Sequence, residues 1–286
     1  MSNASYLLKR PKQRTSSVVF SSPHSGRNYP KSFVNQSVLD PLALRSSEDA
    51  FVDLLFEGVT DFGVPMISAV FPRAWVDLNR RCDEFDPALI EGMARGQLNP
   101  RVASGLGVVP RVVAGGRNIY SGKLTRDEVR SRIELFWKPY HGAVKTLLNE
   151  AHALYGQSIL LDCHSMPREA LASNGLRNVK RPEIVIGDRY GASADPSIVA
   201  HVESAFIAEG FLVTRNMPFA GAYIVEQYGR PAMRSHAIQI EIDRSLYMDE
   251  ARIEPRSEFN DVREALLRAA RRVVSIYADD VPLAAE

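Results

Sequence analysis

Short apolar runs alternate along this chain with longer stretches whose apolar positions recur at helical spacing, the pattern of strands interleaved with helices. Residues 16–21 (SSVVFS) predict a short buried strand, followed by a loop, SPHSGRNYP, broken by Pro23, Gly26 and Pro30. Residues 46–60 predict a helix with Val52, Leu55, Phe56 and Val59 on one stripe. Two strands are expected around Pro72, over 65–70 and 74–78. The stretch 82–122 is rich in Gly, Pro and Arg and reads mostly as loop, a flap over a site. Thr125 and Glu128 form a capping box that opens a long helix, which Pro139 should kink or split. Strands then follow over 158–163, 183–187, 211–214 and 236–242, with helices over 196–210 and 260–277. This alternation predicts an α/β layered fold with a mixed or mostly parallel sheet. No linker divides the chain, so a single domain over residues 1–286 is expected.

Composition narrows the partners. With 45% hydrophobic and 24% charged residues, the chain has an ordinary globular balance. A net charge of +1 supplies no basic excess for a nucleic-acid backbone. Cys82 and Cys163 form neither a CxxC pair nor a disulfide framework, which fits a reducing compartment. At the N-terminus an apolar piece precedes basic residues, the reverse of a secretory signal, and no apolar run is long enough to span a bilayer. A cytoplasmic protein without membrane or nucleic-acid partners is expected.

In open α/β sheets, ligands collect beyond the carboxyl ends of strands. His24 follows the first predicted strand, His164 follows SILLDC, and Glu241 lies in the last strand just before Asp243 and Arg244. Each has a plain structural alternative. His24 reads equally as a loop histidine capping a turn. Asp162 and His164 share a strand face, so Asp162 either orients a metal-bound imidazole or caps the next turn. A hydrolytic zinc site takes three protein ligands and keeps one open position. The third ligand should be a carboxylate, because His141, His152 and His201 fall in helical stretches and His236 opens a strand. Glu48 and Asp49 are the acids available, and they also read as first-turn acids of a helix. Asn79 and Arg80 offer an amide and a guanidinium fork suited to a carboxylate, and Arg73 offers a second fork. Ion pairs with Asp77, Asp83 or Glu84 are the alternative for these arginines. Glu241, between Ile240 and Ile242, suits a general base or a salt bridge to Arg244.

Six segments together resemble the N-formylglutamate amidohydrolase family. They are SSPHSG at 21–26, SSEDAFVDLLFEGVTDFGV at 46–64, PRAWVDLNR at 72–80, FWKPYHGAVKTLL at 136–148, LLDCHSM at 160–166 and IQIEIDRSLYMDE at 238–250. The likeness runs from residue 15 to residue 275. It implies a three-layer αβα sandwich with a mixed central sheet, similar to zinc carboxypeptidases. It also implies one Zn2+ held by His24, His164 and an acid, with Asn79 and Arg80 on a substrate carboxylate and Glu241 activating water. In carboxypeptidases the acid stands three residues after the first histidine, a position occupied here by Arg27, so the resemblance points instead to Asp49. A glutamate substrate carries two carboxylates, which adds Arg73 and Arg117 as anchors. Tyr223, within a stretch at 219–229 where the likeness is weaker, is placed at the substrate. The implied reaction is N-formyl-L-glutamate and water to formate and L-glutamate, a step of histidine breakdown. The alternatives are another N-acyl amino acid deacylase, a carboxypeptidase-like metallohydrolase, or a non-catalytic binder of an acidic small molecule.

Overall fold

A computed structural model describes residues 4–94, 99–171 and 181–278. Residues 95–98 of the expected flap lie outside the described residues. A seven-stranded sheet is formed by β1 (Tyr6–Lys9), β2 (Val18–Ser22), β3 (Met66–Ala69), β4 (Ser158–Met166), β5 (Ile184–Gly187), β6 (Val213–Arg215) and β7 (Ser235–Asp243), in the order β1-β3-β2-β4-β7-β5-β6. Strands β2, β4 and β7 run parallel, β5 is antiparallel to β7, and β6 is parallel to β5. The fold is therefore α/β with a mixed sheet, as the alternation of elements predicts. No helix of the described residues is long and apolar enough to cross a membrane.

The described residues group into two compact units, one drawn from 1–7, 23–50 and 68–143, the other from 8–22, 51–67 and 144–286. The second unit holds the middle of the sheet. All nine residues of β4 are buried, which explains its near-continuous apolar run. The helix Phe259–Ile276 buries Leu266, Ala269, Ala270, Val273 and Val274, a single stripe at helical spacing. Asp195 caps the helix Pro196–Ala208, its carboxylate accepting from the Ser197 N–H at 2.8 Å, with Pro196 at the first position where its missing N–H is harmless.

The first unit is built mainly from loops and short helices, so side chains do much of the holding. Arg132 is fully buried and donates to the Trp75 carbonyl at 3.1 Å and the Tyr120 hydroxyl at 2.8 Å. It pairs with Glu128, and its guanidinium carbon lies 5.3–5.8 Å from the ring centres of Phe33, Trp75 and Tyr120. The expected capping box is half formed. The Thr125 hydroxyl accepts from the Glu128 N–H, while the Glu128 carboxylate turns to Arg132. Pro139 does not split the helical run. A π-helical stretch, Ile133–Trp137, joins Arg126–Arg132 to Lys138–Tyr155, and the widened turn accommodates the proline's missing N–H.

Two expected elements are corrected. Residues 46–60 are not one helix. Only Val52–Leu55 is α-helical, followed by a 3-10 turn over Glu57–Phe62, because Phe51 adopts φ 67° and ends any helix before it. The Phe51 ring packs edge-on against Phe259, which holds this backbone. Residues 74–78 form no strand. The Trp75 N–H bonds the Pro72 carbonyl in a turn, and the Asp77 N–H bonds the Val108 carbonyl.

Candidate active site

Within the first unit, His24 follows β2 on a turn that needs Gly26, because a Cβ there would overlap the carbonyl of Phe71. The Asp49 N–H donates to the His24 carbonyl at 3.0 Å, which fixes the two backbones side by side. The His24 ring is buried. Its Nε2 bonds Asp77 Oδ1 at 2.7 Å, and its Nδ1 faces Asp49 Oδ2 at 3.4 Å. Asp77 also accepts from the Asn79 N–H at 2.8 Å and from Arg73 Nη2 at 2.8 Å. Burial alone would push the Asp77 carboxyl up, but the charges of Arg73, His24 and Arg80 hold it well below the usual carboxylate range. Glu48 is otherwise engaged. It receives Arg45 Nε at 3.0 Å and the Tyr29 hydroxyl at 2.6 Å, so of the two acids Asp49 is the one that meets His24.

The proposed carboxylate anchors occupy distinct settings in this unit. Asn79 is buried. Arg80 is nearly so, with Nε on the Leu106 carbonyl and Nη1 on the Asn79 carbonyl; among the described residues Nη2 makes no hydrogen bond. Burial pushes its guanidinium pKa down. Arg73 pairs with Asp77, the structural alternative read from the sequence, and its Nη1 also stands 4.0 Å from Asp49. Arg117 is exposed and donates to Ser46 Oγ at 2.9 Å. His141 is a packing residue that bonds the Leu78 carbonyl at 2.9 Å and lies against Trp137.

In the second unit the chemistry sits on neighbouring parallel strands. In register, Asp162 of β4 opposes Gln239 of β7, and His164 opposes Glu241. Side chains two apart on a strand share a face, so all four point the same way. His164 Nε2 bonds Asp162 Oδ2 at 2.9 Å, and Asp162 Oδ1 accepts from Ser21 Oγ at 2.5 Å. Gln239 Nε2 donates to Glu241 at 2.8 Å, while its carbonyl accepts from the Ala222 N–H at 3.2 Å. Arg244 donates to the Ser165 hydroxyl at 3.1 Å and to the Ser165 carbonyl at 3.4 Å. Tyr223 opens the helix Tyr223–Tyr228. Burial, then Tyr223 and Asp162, raise the Tyr228 hydroxyl, so it stays protonated near this face. His236 begins β7, at the opposite end from Glu241, and accepts from the Asp195 N–H.

Among the described residues one group of potential metal ligands assembles. His24, Asp49 and His164 are all buried, and each offers an atom within 4.8 Å of the others. Each imidazole places its Nε2 on a carboxylate, and with the proton held there Nδ1 would be the nitrogen a metal could take. Two imidazole nitrogens and one carboxylate match the donor set of a hydrolytic zinc site. Asp77, Gln239 and Tyr228 carry no separate motif in the sequence. The signal that could have found the first two is the i, i+2 spacing of Asp77 with Asn79 and of Gln239 with Glu241, the same spacing that marks Asp162 and His164.

The mixed α/β sheet thus carries a buried two-histidine, one-carboxylate group that could hold a metal ion, with a glutamate beside one of the histidines in register. The family model of N-formylglutamate amidohydrolase matches residues 16–248, and the chain belongs to that family. It is similar to the N-formylglutamate deformylase of Pseudomonas putida, 28% identical over 236 residues that cover 82% of each chain. The N-formylglutamate deformylase of Pseudomonas aeruginosa is also 28% identical, over 255 residues, 88% of this chain and 90% of that one. Among solved structures, the N-formylglutamate amidohydrolase of Ralstonia eutropha JMP134 superposes with a TM-score of 0.89 at 35% identity, covering 96% of this chain and 98% of that one.

Proposed function

We propose that this chain is a zinc-dependent amidohydrolase that converts N-formyl-L-glutamate and water to formate and L-glutamate. The observation that carries the reading is the convergence of His24, Asp49 and His164 within 4.8 Å in a member of this family. His24, Asp49 and His164 would hold the zinc ion, which would supply Lewis acidity for hydrolysis of the formyl amide. Glu241, beside His164 in register, takes the proton of the attacking water and delivers it to the leaving nitrogen. Gln239 holds that carboxylate in place. Asn79, Arg80 and Arg73 grip the substrate carboxylates, with Arg117 and Tyr223 at the periphery. Breakdown of histidine in a cytoplasm that keeps Cys82 and Cys163 as free thiols is the setting such a reaction fits.

The test is hydrolysis by the zinc-loaded protein of a panel of formyl, acetyl and succinyl derivatives of glutamate and aspartate. Formate release from N-formyl-L-glutamate, lost on chelation and restored by zinc, is expected. Preference for another acyl group moves the protein to a different deacylase. Full activity after complete zinc removal would falsify the metal assignment.

A further inference from the structure

We infer that Asp77 is a shared positioning residue, joining the metal ligand His24 to the carboxylate anchors Arg73 and Asn79, so that metal affinity and carboxylate affinity are linked through one side chain. The inference rests on the function proposed above and adds to it a residue with no assigned role. Asp77 Oδ1 accepts from His24 Nε2 at 2.7 Å and from the Asn79 N–H at 2.8 Å, while Oδ2 accepts from Arg73 Nη2 at 2.8 Å. One oxygen thus holds the imidazole together with the Asn79 backbone, and the other holds Arg73. Its backbone is fixed in turn, the N–H bonding the Val108 carbonyl at 2.7 Å.

The other Asp–His pair shows why this is more than ordinary support of a ligand. Asp162 also orients its histidine, but its second oxygen accepts from the neutral hydroxyl of Ser21. Asp77 spends its second oxygen on a guanidinium, and that same guanidinium reaches to 4.0 Å from the ligand carboxylate of Asp49. Arg73 is therefore shared between Asp77 and Asp49. A substrate carboxylate that draws Arg73 toward itself alters the charge felt by both the imidazole and the acid that hold the metal. Thermodynamic reciprocity then requires the metal to alter carboxylate affinity by the same factor.

The experiment compares wild type with Asp77→Asn, measuring Zn2+ affinity by competition with a chromophoric chelator, with and without saturating L-glutamate. Asp77→Asn is expected to weaken zinc by about 10–100-fold, the usual effect of losing a carboxylate behind a ligand histidine. L-glutamate is expected to change zinc affinity about fivefold or more in wild type. In the variant that change should largely disappear. A variant that binds zinc like wild type but melts earlier shows a purely structural ion pair and overturns the inference. An equal glutamate effect in both proteins, or none in wild type, overturns the coupling. Should Asp77→Asn fail to fold, nitrogen-15 histidine spectra of zinc-free wild type decide instead: the His24 proton should sit on Nε2, and finding it on Nδ1 refutes the geometry. Formate release by wild type is assayed in parallel. A wild type that binds zinc without releasing formate sinks the deformylase reading, while the ratio of zinc affinities still judges Asp77.

Discussion

The two histidines proposed as metal ligands are built in opposite ways. His164 sits on a fully buried strand, and its partner Asp162 lies two residues earlier on the same face. His24 sits on a turn after β2, and its partner Asp77 comes from another turn 53 residues further on. The strand-built pair is oriented by regular alternation and by its neighbours in register. The loop-built pair is assembled from Gly26, the bond between Asp49 and His24, and the cation beside Asp77. One chemistry thus arises once from local geometry and once from long-range contacts, and the second route brings in groups that regular structure would not supply.

The strongest test falls on the strand-built side. Glu241→Gln keeps the shape and the neighbour of His164 but removes the proton acceptor, so kcat should fall by about 10²–10⁴-fold. Zinc content should be unchanged. A variant retaining wild-type turnover would remove Glu241 as the base. Such a result would leave β7 a scaffold and erase the strand-built side's claim to the chemistry.

The next test falls on the loop-built side. Gly26→Ala places a methyl against the Phe71 carbonyl, and overpacking of this kind costs about 1–3 kcal/mol. Because the His24 turn has no ladder to hold it, zinc affinity should drop together with melting temperature. Should calorimetry show lower stability with untouched zinc affinity, the turn would be less decisive for ligand geometry than the contrast requires.

The smallest effect is expected from His236, the imidazole at the far end of β7. Burial, with Arg234, holds its pKa below the usual value, and the Asp195 N–H needs its ring nitrogen as an acceptor. A depressed folded pKa means full stability above the unfolded value, about 6.5, and loss as pH falls toward the folded one. His236→Gln should therefore flatten the loss of stability to urea between neutral and mildly acidic pH. An unchanged pH slope would show that the acid sensitivity comes from other groups.

Legibility in the sequence followed the same divide. β4 and β7 were readable from apolar runs and alternation, and so were the shared face of Asp162 and His164 and the position of Glu241. The stripe at Leu266, Ala269, Ala270, Val273 and Val274 was equally plain. The surroundings of His24 were not. A helix over 46–60 would have set Glu48 and Asp49 a quarter turn apart, whereas the left-handed Phe51 removes that helix and the choice is made by Arg45 and Tyr29 occupying Glu48. Asp77 read as a salt-bridge partner of Arg73, and it is one. Its second role depends on a contact across 53 residues that no periodicity encodes.

The widened helical turn at Ile133–Trp137 has a consequence of its own. One additional residue in a turn rotates everything after it by roughly 100° about the axis. That phase is what aims Trp137 Nε1 at the Arg80 carbonyl and His141 at the Leu78 carbonyl, bracing the short segment that carries Asn79 and Arg80. Deleting a single residue there would swing both rings away while every braced side chain kept its identity. The placement of Asn79 and Arg80 therefore depends on a count of residues in this helix as well as on their chemistry.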